Sequence, residues 1–302
     1  MRPIATEMID LPEWKCHALH QNHHVFYWIS PRWTTMFAPG RFDTLFDPDL
    51  SQSCWDRIHR KQGRLTARVQ LEPTKGANSL VCYLKHHDRE RVPRNFPLES
   101  KVFRSAAATE WRHLESARRL GLTVPESVAA AVRVKADGGV QSLLLIREID
   151  EALAVHEAIP RAFELLDYAS FLVWKQNVVR RMAEMTALLH RAGWFHQDLY
   201  LCHFFVSHSL DSPVGHLTLI DFQRMIQPSS ITRWRYRIKD LAQWRFSTQG
   251  VVGVEERDRR LFWRVYRECC QPPAASLTAT LVSVKTHRYL CHHRKHQATL
   301  PS

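Results

Sequence analysis

From Arg64 onward, apolar and polar residues alternate. Leu65, Ala67, Val69 and Leu71 share a period of two, which predicts a strand. A second apolar run, Leu80 to Leu84, ends in Lys85. The segment between them, Pro73 to Asn78 with Gly76, has turn chemistry, so the two runs predict a hairpin. The period then lengthens. Ala106 to Leu120 carries Trp111, Leu114 and Ala117 at helical spacing, with Gly121 at the C-cap and Pro125 soon after. Val128 to Val134 and Ser142 to Ile146 read as two more strands around the turn Asp137-Gly138-Gly139. Beyond residue 150 the pattern becomes helical. Its clearest stretch is Phe171 to Arg191, with Phe171, Trp174, Val178, Met185, Leu188 and Leu189 apolar and Gly193 as the stop. A short strand-rich patch, Phe204 to Val206 and Leu217 to Ile220, precedes further helices. Residues 1–60 are rich in Trp, His and Pro and show no clean period. They are expected to be irregular structure leading into the sheet.

The order of elements predicts an α+β, bilobal chain. It has an N-terminal extension over 1–60, a small antiparallel-sheet lobe over 61–149 and a larger helical lobe over 150–302. The length of 302 residues, 45% hydrophobic and 24% charged, suits such a globular core. No stretch approaches the roughly 18–20 consecutive apolar residues of a membrane span. The first residues carry Glu7, Asp10 and Glu13 without an apolar segment, unlike a secretory signal. Seven cysteines, an odd number without regular spacing, point to free thiols and a reducing compartment, so a cytoplasmic location is expected. The net charge of +12 favours anionic partners: nucleic acid, an anionic membrane or phosphorylated substrates. No zinc-finger or helix-turn-helix signature accompanies it, so nucleic acid is not expected.

The candidate chemistry lies after the long helix. His196-Gln197-Asp198-Leu199-Tyr200-Leu201-Cys202-His203-Phe204 is followed, after a turn, by Leu219-Ile220-Asp221-Phe222-Gln223-Arg224. Phosphoryl transfer from ATP needs an acid beside the attacking hydroxyl, a carboxylate for Mg²⁺, a further metal or phosphate ligand, and a lysine fixed by a glutamate. Asp198, Asp221 and His203 suit the first three roles. Lys85 ends a strand and Glu110 lies on the following helix, in reach of it; Glu115 competes with Glu110 on that helix. The pattern matches a kinase catalytic loop and metal loop, with two departures: His203 where Asn is usual, and Gln223 where Gly is usual. A small sheet lobe before a helical lobe is also the kinase plan.

These strings, with Cys82-Tyr83-Leu84-Lys85, Glu110-Trp111-Arg112-His113-Leu114, Lys239-Asp240-Leu241-Ala242 and Phe246-Ser247, resemble the lipopolysaccharide kinase (Kdo/WaaP) family over about residues 65–270. The resemblance implies ATP- and Mg²⁺-dependent phosphorylation of an inner-core heptose or Kdo hydroxyl at the cytoplasmic side of the inner membrane. It implies Asp198 as the catalytic acid–base group, Asp221 and His203 as metal ligands, and Lys85 and Glu110 at the phosphates. Asp240 would be a structural aspartate bonding the catalytic-loop backbone. Adenine is expected against the backbone near Glu148 to Asp150. No G-x-G-x-x-G is present, and a polar loop near Asp47 to His59 is the expected phosphate cover. Asp240 follows Asp221 by only 19 positions, with no A-P-E, which leaves little room for a peptide platform. The alternatives are a kinase of another small molecule or protein on this fold, and a pseudokinase. Retention of Lys85, Glu110, Asp198 and Asp221 together argues against the latter.

Several signals have plain structural readings. His196 is expected to support the loop. Cys291, His292, His293 and His296, like Cys269-Cys270, lack a second ligand pair at zinc-like spacing and read as surface. Arg233, Arg235, Arg237 and Lys239 alternate with Trp234, Tyr236 and Ile238, either as a solvated face beside a packed one or as an anionic-substrate clamp. Residues 271–302 hold no Asp or Glu but carry Lys285, Arg288, Arg294 and Lys295. They are expected to attach the enzyme reversibly to an anionic membrane surface.

Overall fold

The computed structural model describes residues 14–19, 23–38, 40–61, 63–73, 78–207 and 216–298; the turn at Gly76 and the acidic residues Glu7, Asp10 and Glu13 lie outside them. The chain forms two compact units: Met1–Glu115 with Pro125–Glu148, and Ser116–Val124 with Ile149–Ser302. The described residues before 60 fall within the first unit. Residues 116–124 belong with the second.

The first unit is built on strands β1 (Lys15–Leu19), β2 (His23–Ile29), β3 (Trp55–Lys61), β4 (Arg64–Leu71), β5 (Leu80–His87), β6 (Ser127–Val134) and β7 (Val140–Arg147). Helices α1 (Arg41–Phe46), α2 (Leu98–Arg104) and α3 (Ala106–Arg119) accompany them. The described strands make one antiparallel sheet in the order β1-β2-β6-β7-β5-β4-β3. The expected hairpins are present as β4–β5 and β6–β7, and Lys135 N–H donates to the Gly139 carbonyl across the second turn (2.8 Å). In β4 and β5, burial alternates residue by residue. β6 is buried throughout, because helices and irregular chain cover both of its faces. One face holds Phe46, Met36, Leu45, Leu71 and Leu84; the other holds Val102, Val132, Val134 and Val140.

β1 and β2 correct the expectation of irregular structure before residue 60. β2 reads His-His-Val-Phe-Tyr-Trp-Ile, aromatic on both faces, with only Val25 and Trp28 fully buried. It therefore lacks the alternation that identifies a half-buried strand. Trp28 instead packs its ring 5.1 Å from Trp111 of α3. Trp111 is 4% exposed and thus gains ~1.5–3 kcal/mol from burial.

The start of α3 is pinned to the sheet. The Ala106 N–H donates to Glu90 (2.7 Å) and the Ala107 N–H to the Ser142 hydroxyl of β7 (3.1 Å), while that hydroxyl donates to Glu90. Burial raises the Glu90 pKa despite these bonds. Glu110 sits one turn further along, so its position relative to β5 is fixed.

The second unit contains β8 (Ala152–Ala154), β9 (Phe204–Ser207) and β10 (Leu217–Leu219), a small antiparallel sheet in the order β10-β9-β8. Its helices are α4 (Val155–Leu165), α5 (Tyr168–Arg191), α6 (Arg233–Ser247), α7 (Glu256–Cys270) and α8 (Ala275–Ala298). Asp167 caps α5, accepting from the N–H groups of Ala169 and Ser170 (both 3.0 Å). Gly193, at φ +80°, ends its turn beneath the Arg233 guanidinium, where a Cβ would lie 2.9 Å from it. Trp244 of α6 stacks on Phe262 of α7 at 3.6 Å between ring centroids.

Candidate active site

Each unit carries its own cluster. In the first, Lys85 Nζ lies 2.5 Å from Glu110 Oε1. Glu110 is buried (2%), so the carboxylate has little solvent to fall back on and holds the ammonium in place. Glu110, not Glu115, is the partner of Lys85. The register explains the geometry: Lys85 pairs with Thr66 and Leu144 in mid-sheet, on the face opposite that of Leu84 and His86. Glu148 follows β7. Its N–H donates to the Val81 carbonyl (3.0 Å), and Arg68 grips its carboxylate through Nε (2.7 Å) and Nη2 (2.8 Å). That grip holds the Glu148 carboxyl below its ordinary pKa. Asp150 lies just beyond, in the second unit. The expected phosphate cover between Asp47 and His59 is not a free loop. Residues 55–61 are β3, and Asp47 is paired with Arg133 (2.7 Å). The reversal in this region falls instead between β3 and β4, at Gly63 (φ +75°).

In the second unit, the segment after α5 is held from behind by α6. Buried Asp240 accepts from the N–H groups of His196 (2.8 Å) and Gln197 (2.9 Å). Gln243, three residues on and thus on the same helix face, donates to the Gln197 carbonyl (2.9 Å) and the Tyr200 hydroxyl (3.1 Å). One further turn along, the Ser247 hydroxyl accepts from the Leu201 N–H (2.8 Å). Asp240, Gln243 and Ser247 thus form a polar stripe on α6 that satisfies the backbone of a loop with no ladder of its own. This grip keeps Gln197 at φ +72°, a conformation costly for a side-chain-bearing residue. Gln243 went unrecognised in the sequence; its spacing from Asp240 was the available signal.

The loop projects Asp198, whose carboxylate lies 3.2 Å from Arg224 Nη1. Its carbonyl accepts from His203 Nδ1 (2.6 Å). A carbonyl only accepts, so Nδ1 carries the proton and Nε2 of the neutral ring presents a lone pair. That nitrogen faces Asp221 Oδ2 at 3.8 Å. A lone pair opposite a carboxylate calls for positive charge between them, either a proton or a metal ion. Burial pulls the His203 pKa down, yet the bonds to Cys202 and Asp198 and the charge of Asp221 outweigh it and raise the pKa.

Asp221 adopts φ +66° at the end of β10, while the Gln223 amide donates to its Oδ1 (2.8 Å). Gln223, a departure from the kinase pattern, thus steadies the carboxylate. Phe222 is buried with its ring edge-on to His196 (5.2 Å). His196 Nε2 donates to the Ile220 carbonyl (2.9 Å), tying the segment of Asp198 to that of Asp221. His196 is therefore a support, as expected from its sequence position.

Behind this, the Tyr266 hydroxyl of α7 and Asp240 bracket His190 at 2.8 and 3.2 Å. Burial depresses the pKa of His190 and His196, and in the first unit that of His86 and of His87, the last to about 4. Folded values below the unfolded value of about 6.5 mean that the unfolded chain takes up more protons as pH falls. This stability is full above pH ~6.5 and is lost below it. His203 alone among these runs the other way. The thermal midpoint should therefore be flat from pH 8 to 7 and fall steadily from pH 6.5 to 5; calorimetry that shows no fall would contradict the buried neutral state of these rings.

The rows of cations on α6 do not act as one clamp. On a helix, alternate residues do not share a face. Arg233 packs against Gly193 and Arg237 lies over the Phe195 ring (6.0 Å), whereas Arg235 and Lys239 face α8. Among the described residues no group of three His, Cys, Asp or Glu could hold a metal by itself, Cys291 and its neighbours included; the side chain of His296 lies outside the described residues. No helix among the described residues is long and apolar enough to cross a membrane.

Comparison with known proteins identifies the family and the fold. The chain is 27% identical over 215 residues to the lipopolysaccharide core heptose(I) kinase WaaP of Pseudomonas aeruginosa, covering 70% of this chain and 76% of the relative. It is 33% identical over 94 residues to the enzyme of that name from Escherichia coli, covering 30% and 35%. A solved structure of WaaP in complex with acyl carrier protein shares the fold, with a TM-score of 0.58 and 22% identity over 82% of this chain and 96% of that one. The sequence profile of one family matches residues 52–266. The chain belongs to the lipopolysaccharide kinase (Kdo/WaaP) family.

Proposed function

We propose that this kinase transfers the γ-phosphoryl group of ATP to a hydroxyl of an inner-core heptose or Kdo of lipopolysaccharide, using Mg²⁺. Family membership makes the chain a phosphotransferase; the nucleotide, the metal and the acceptor are our reading. The observation that carries it is the loop clamped by Asp240, which presents the Asp198 carboxylate five residues from His203, itself 3.8 Å from Asp221.

In this reading Asp198 accepts a hydrogen bond from the sugar hydroxyl and takes its proton as the oxygen attacks. Arg224 beside it orients the carboxylate. Asp221 fits Mg²⁺, which commonly takes one or two protein carboxylates and completes its shell with phosphates and water. When bound, Mg²⁺ supplies charge neutralisation at the phosphate oxygens. An imidazole is a less natural Mg²⁺ ligand than a carboxylate. His203, with its raised pKa, also serves protonated, as a donor to a phosphate oxygen. Lys85, locked by Glu110, holds the phosphates nearer the nucleoside. Adenine bonds the backbone between Glu148 and Asp150, a segment held to β5 by the Glu148 N–H, which donates to the Val81 carbonyl. The β3–β4 turn at Gly63 takes the place of the phosphate cover. Attachment to the cytoplasmic face of the inner membrane through basic residues of α8 belongs to the same reading, since the acceptor is an anionic glycolipid.

Two measurements test it. Labelled ATP and Mg²⁺ with a panel of unphosphorylated lipopolysaccharide cores should give label in the core; no transfer to any core would sink the acceptor assignment. Asp221→Ala should abolish the Mg²⁺-dependent rise in melting temperature with ATP, a rise worth roughly 2.7 kcal/mol for the wild type at a hundredfold excess over Kd. An unchanged rise would remove Asp221 from the metal site.

A further inference from the structure

Helices α6 and α8 lie side by side within the second unit, joined by Arg245 to Ser283 (2.8 Å) and by contacts of Phe246 with Tyr289 (5.8 Å). Between them runs a groove of about 410 Å³. Its cations come from both helices: Arg235 and Lys239 from α6, Lys285 and Arg288 from α8. Its apolar lining includes Trp234, 53% exposed, and Val284, 47% exposed. No carboxylate offsets these charges from the two helices. α8 has no Asp or Glu, and the one acid of α6, Asp240, is buried with its oxygens spent on the catalytic loop. Four cations lining one groove repel each other unless an anion joins them. An exposed indole beside cations is also the combination that receives a sugar ring bearing acidic groups.

The groove is continuous with the site already described. Lys239 Nζ donates to Gln197 Oε1 (3.1 Å), the residue before Asp198. Burial holds Lys239 below its ordinary pKa, although Asp198 and Asp240 pull the other way and Lys285 adds to the depression. One lining residue of the groove, Lys239, is therefore bonded to the loop that carries Asp198, and the rest of the lining runs from it to α8.

We propose that the α6–α8 groove is an acceptor subsite, in which Arg235, Lys239, Lys285 and Arg288 hold carboxylate or phosphate groups on sugars adjoining the one phosphorylated. This rests on the proposed function and deepens it. It assigns Lys285 and Arg288 to saccharide recognition and leaves only Arg294 and Lys295, further along the helix, to general attachment at a lipid surface.

The test uses the full chain and a deacylated core oligosaccharide that keeps its sugar-acid carboxylates and phosphates, so no lipid surface is present. Titration calorimetry of this saccharide should show Kd raised on the order of tenfold by Lys285→Gln with Arg288→Gln. Where transfer is measurable, KM for the saccharide should rise in parallel and KM for ATP should stay put. The affinity of the wild type should fall with added salt more steeply than that of the variant. Arg294→Gln with Lys295→Gln should leave Kd unaltered. Equal Kd for wild type and the Lys285/Arg288 variant overturns the proposal, as does absence of binding by the wild type. Loss of binding to anionic phospholipid vesicles with unaltered saccharide Kd also overturns it, in favour of a lipid-surface site. Saccharide binding that depends on Lys285 and Arg288, without any transfer, upholds the groove and sinks the functional reading instead.

Discussion

Asp198→Asn is expected to lower kcat by ~10²–10⁴ while leaving the fold intact. The substitution is nearly isosteric and removes only the charge and basicity of the carboxylate. The loop does not depend on that side chain. His203 bonds to the Asp198 carbonyl, and Asp240 holds the backbone of the two preceding residues. Among the described residues the ion pair lost is with Arg224, whose side chain is 65% exposed, so solvent screens it to a small contribution. Steady-state transfer and a melting curve on the same preparation decide the matter. Turnover close to wild type would show that another group takes the acceptor's proton. A large drop in melting temperature would show instead that the carboxylate holds the loop together.

The largest expected effect on stability comes from a residue with no part in the chemistry. Lys175 of α5 is fully buried, with Nζ 2.8 Å from Asp258 Oδ2, 2.7 Å from the Gly253 carbonyl and 4.9 Å from the centre of the Phe171 ring. Asp258 is equally enclosed and also accepts from the Glu255 N–H in the capping box of α7 (2.8 Å). Lys175→Met fills a similar volume but strands the carboxylate without a counter-ion. Breaking one side of such a buried pair costs about 3–5 kcal/mol. Lys175→Met combined with Asp258→Asn should recover a good part of that loss, because no bare charge remains and the amide still caps the helix. Urea denaturation of the wild type and the two variants measures both values. A loss under about 1 kcal/mol for Lys175→Met would place the pair among solvent-screened contacts instead.

How far the sequence was legible follows from how local each determinant is. Strands β4 and β5 were readable because one face is buried and the residues alternate accordingly. Helix α3 was readable from Trp111 and Leu114 and from its Gly121 stop. β2 was not, since its aromatics fill both faces. The candidate constellation could be proposed from the sequence because Asp198, His203 and Asp221 lie close along the chain, on one loop and the strands that follow it. What the sequence concealed was the means of support. Gln243 and Ser247 act only when α6 is known to lie behind the loop, and Glu90 matters only once α3 is docked on β7. The Arg233–Lys239 run was left between two readings for a related reason: only the helical period sends Arg233 and Arg237 one way and Arg235 and Lys239 another. The stretch up to His59 was read as a loop because nothing before residue 60 announced strand β3.

The division of the chain has a practical consequence for anyone wishing to dissect it. The sheet unit is interrupted: the chain leaves it after Glu115, spends Ser116–Val124 in the helical unit, and returns at Pro125 to lay down β6 and β7. A fragment ending near residue 148 would carry that excursion away from its setting, exposing Leu122, which is 4% exposed in the whole chain. The complementary fragment would lose the Thr123 carbonyl that accepts from the Leu219 N–H (3.1 Å), in the strand that leads to Asp221. No single cut yields two self-sufficient halves. Circular permutation does not help, since the four segments still alternate between the units; separate expression of the parts or grafting of one half onto a relative's other half requires new connections that bypass residues 116–124.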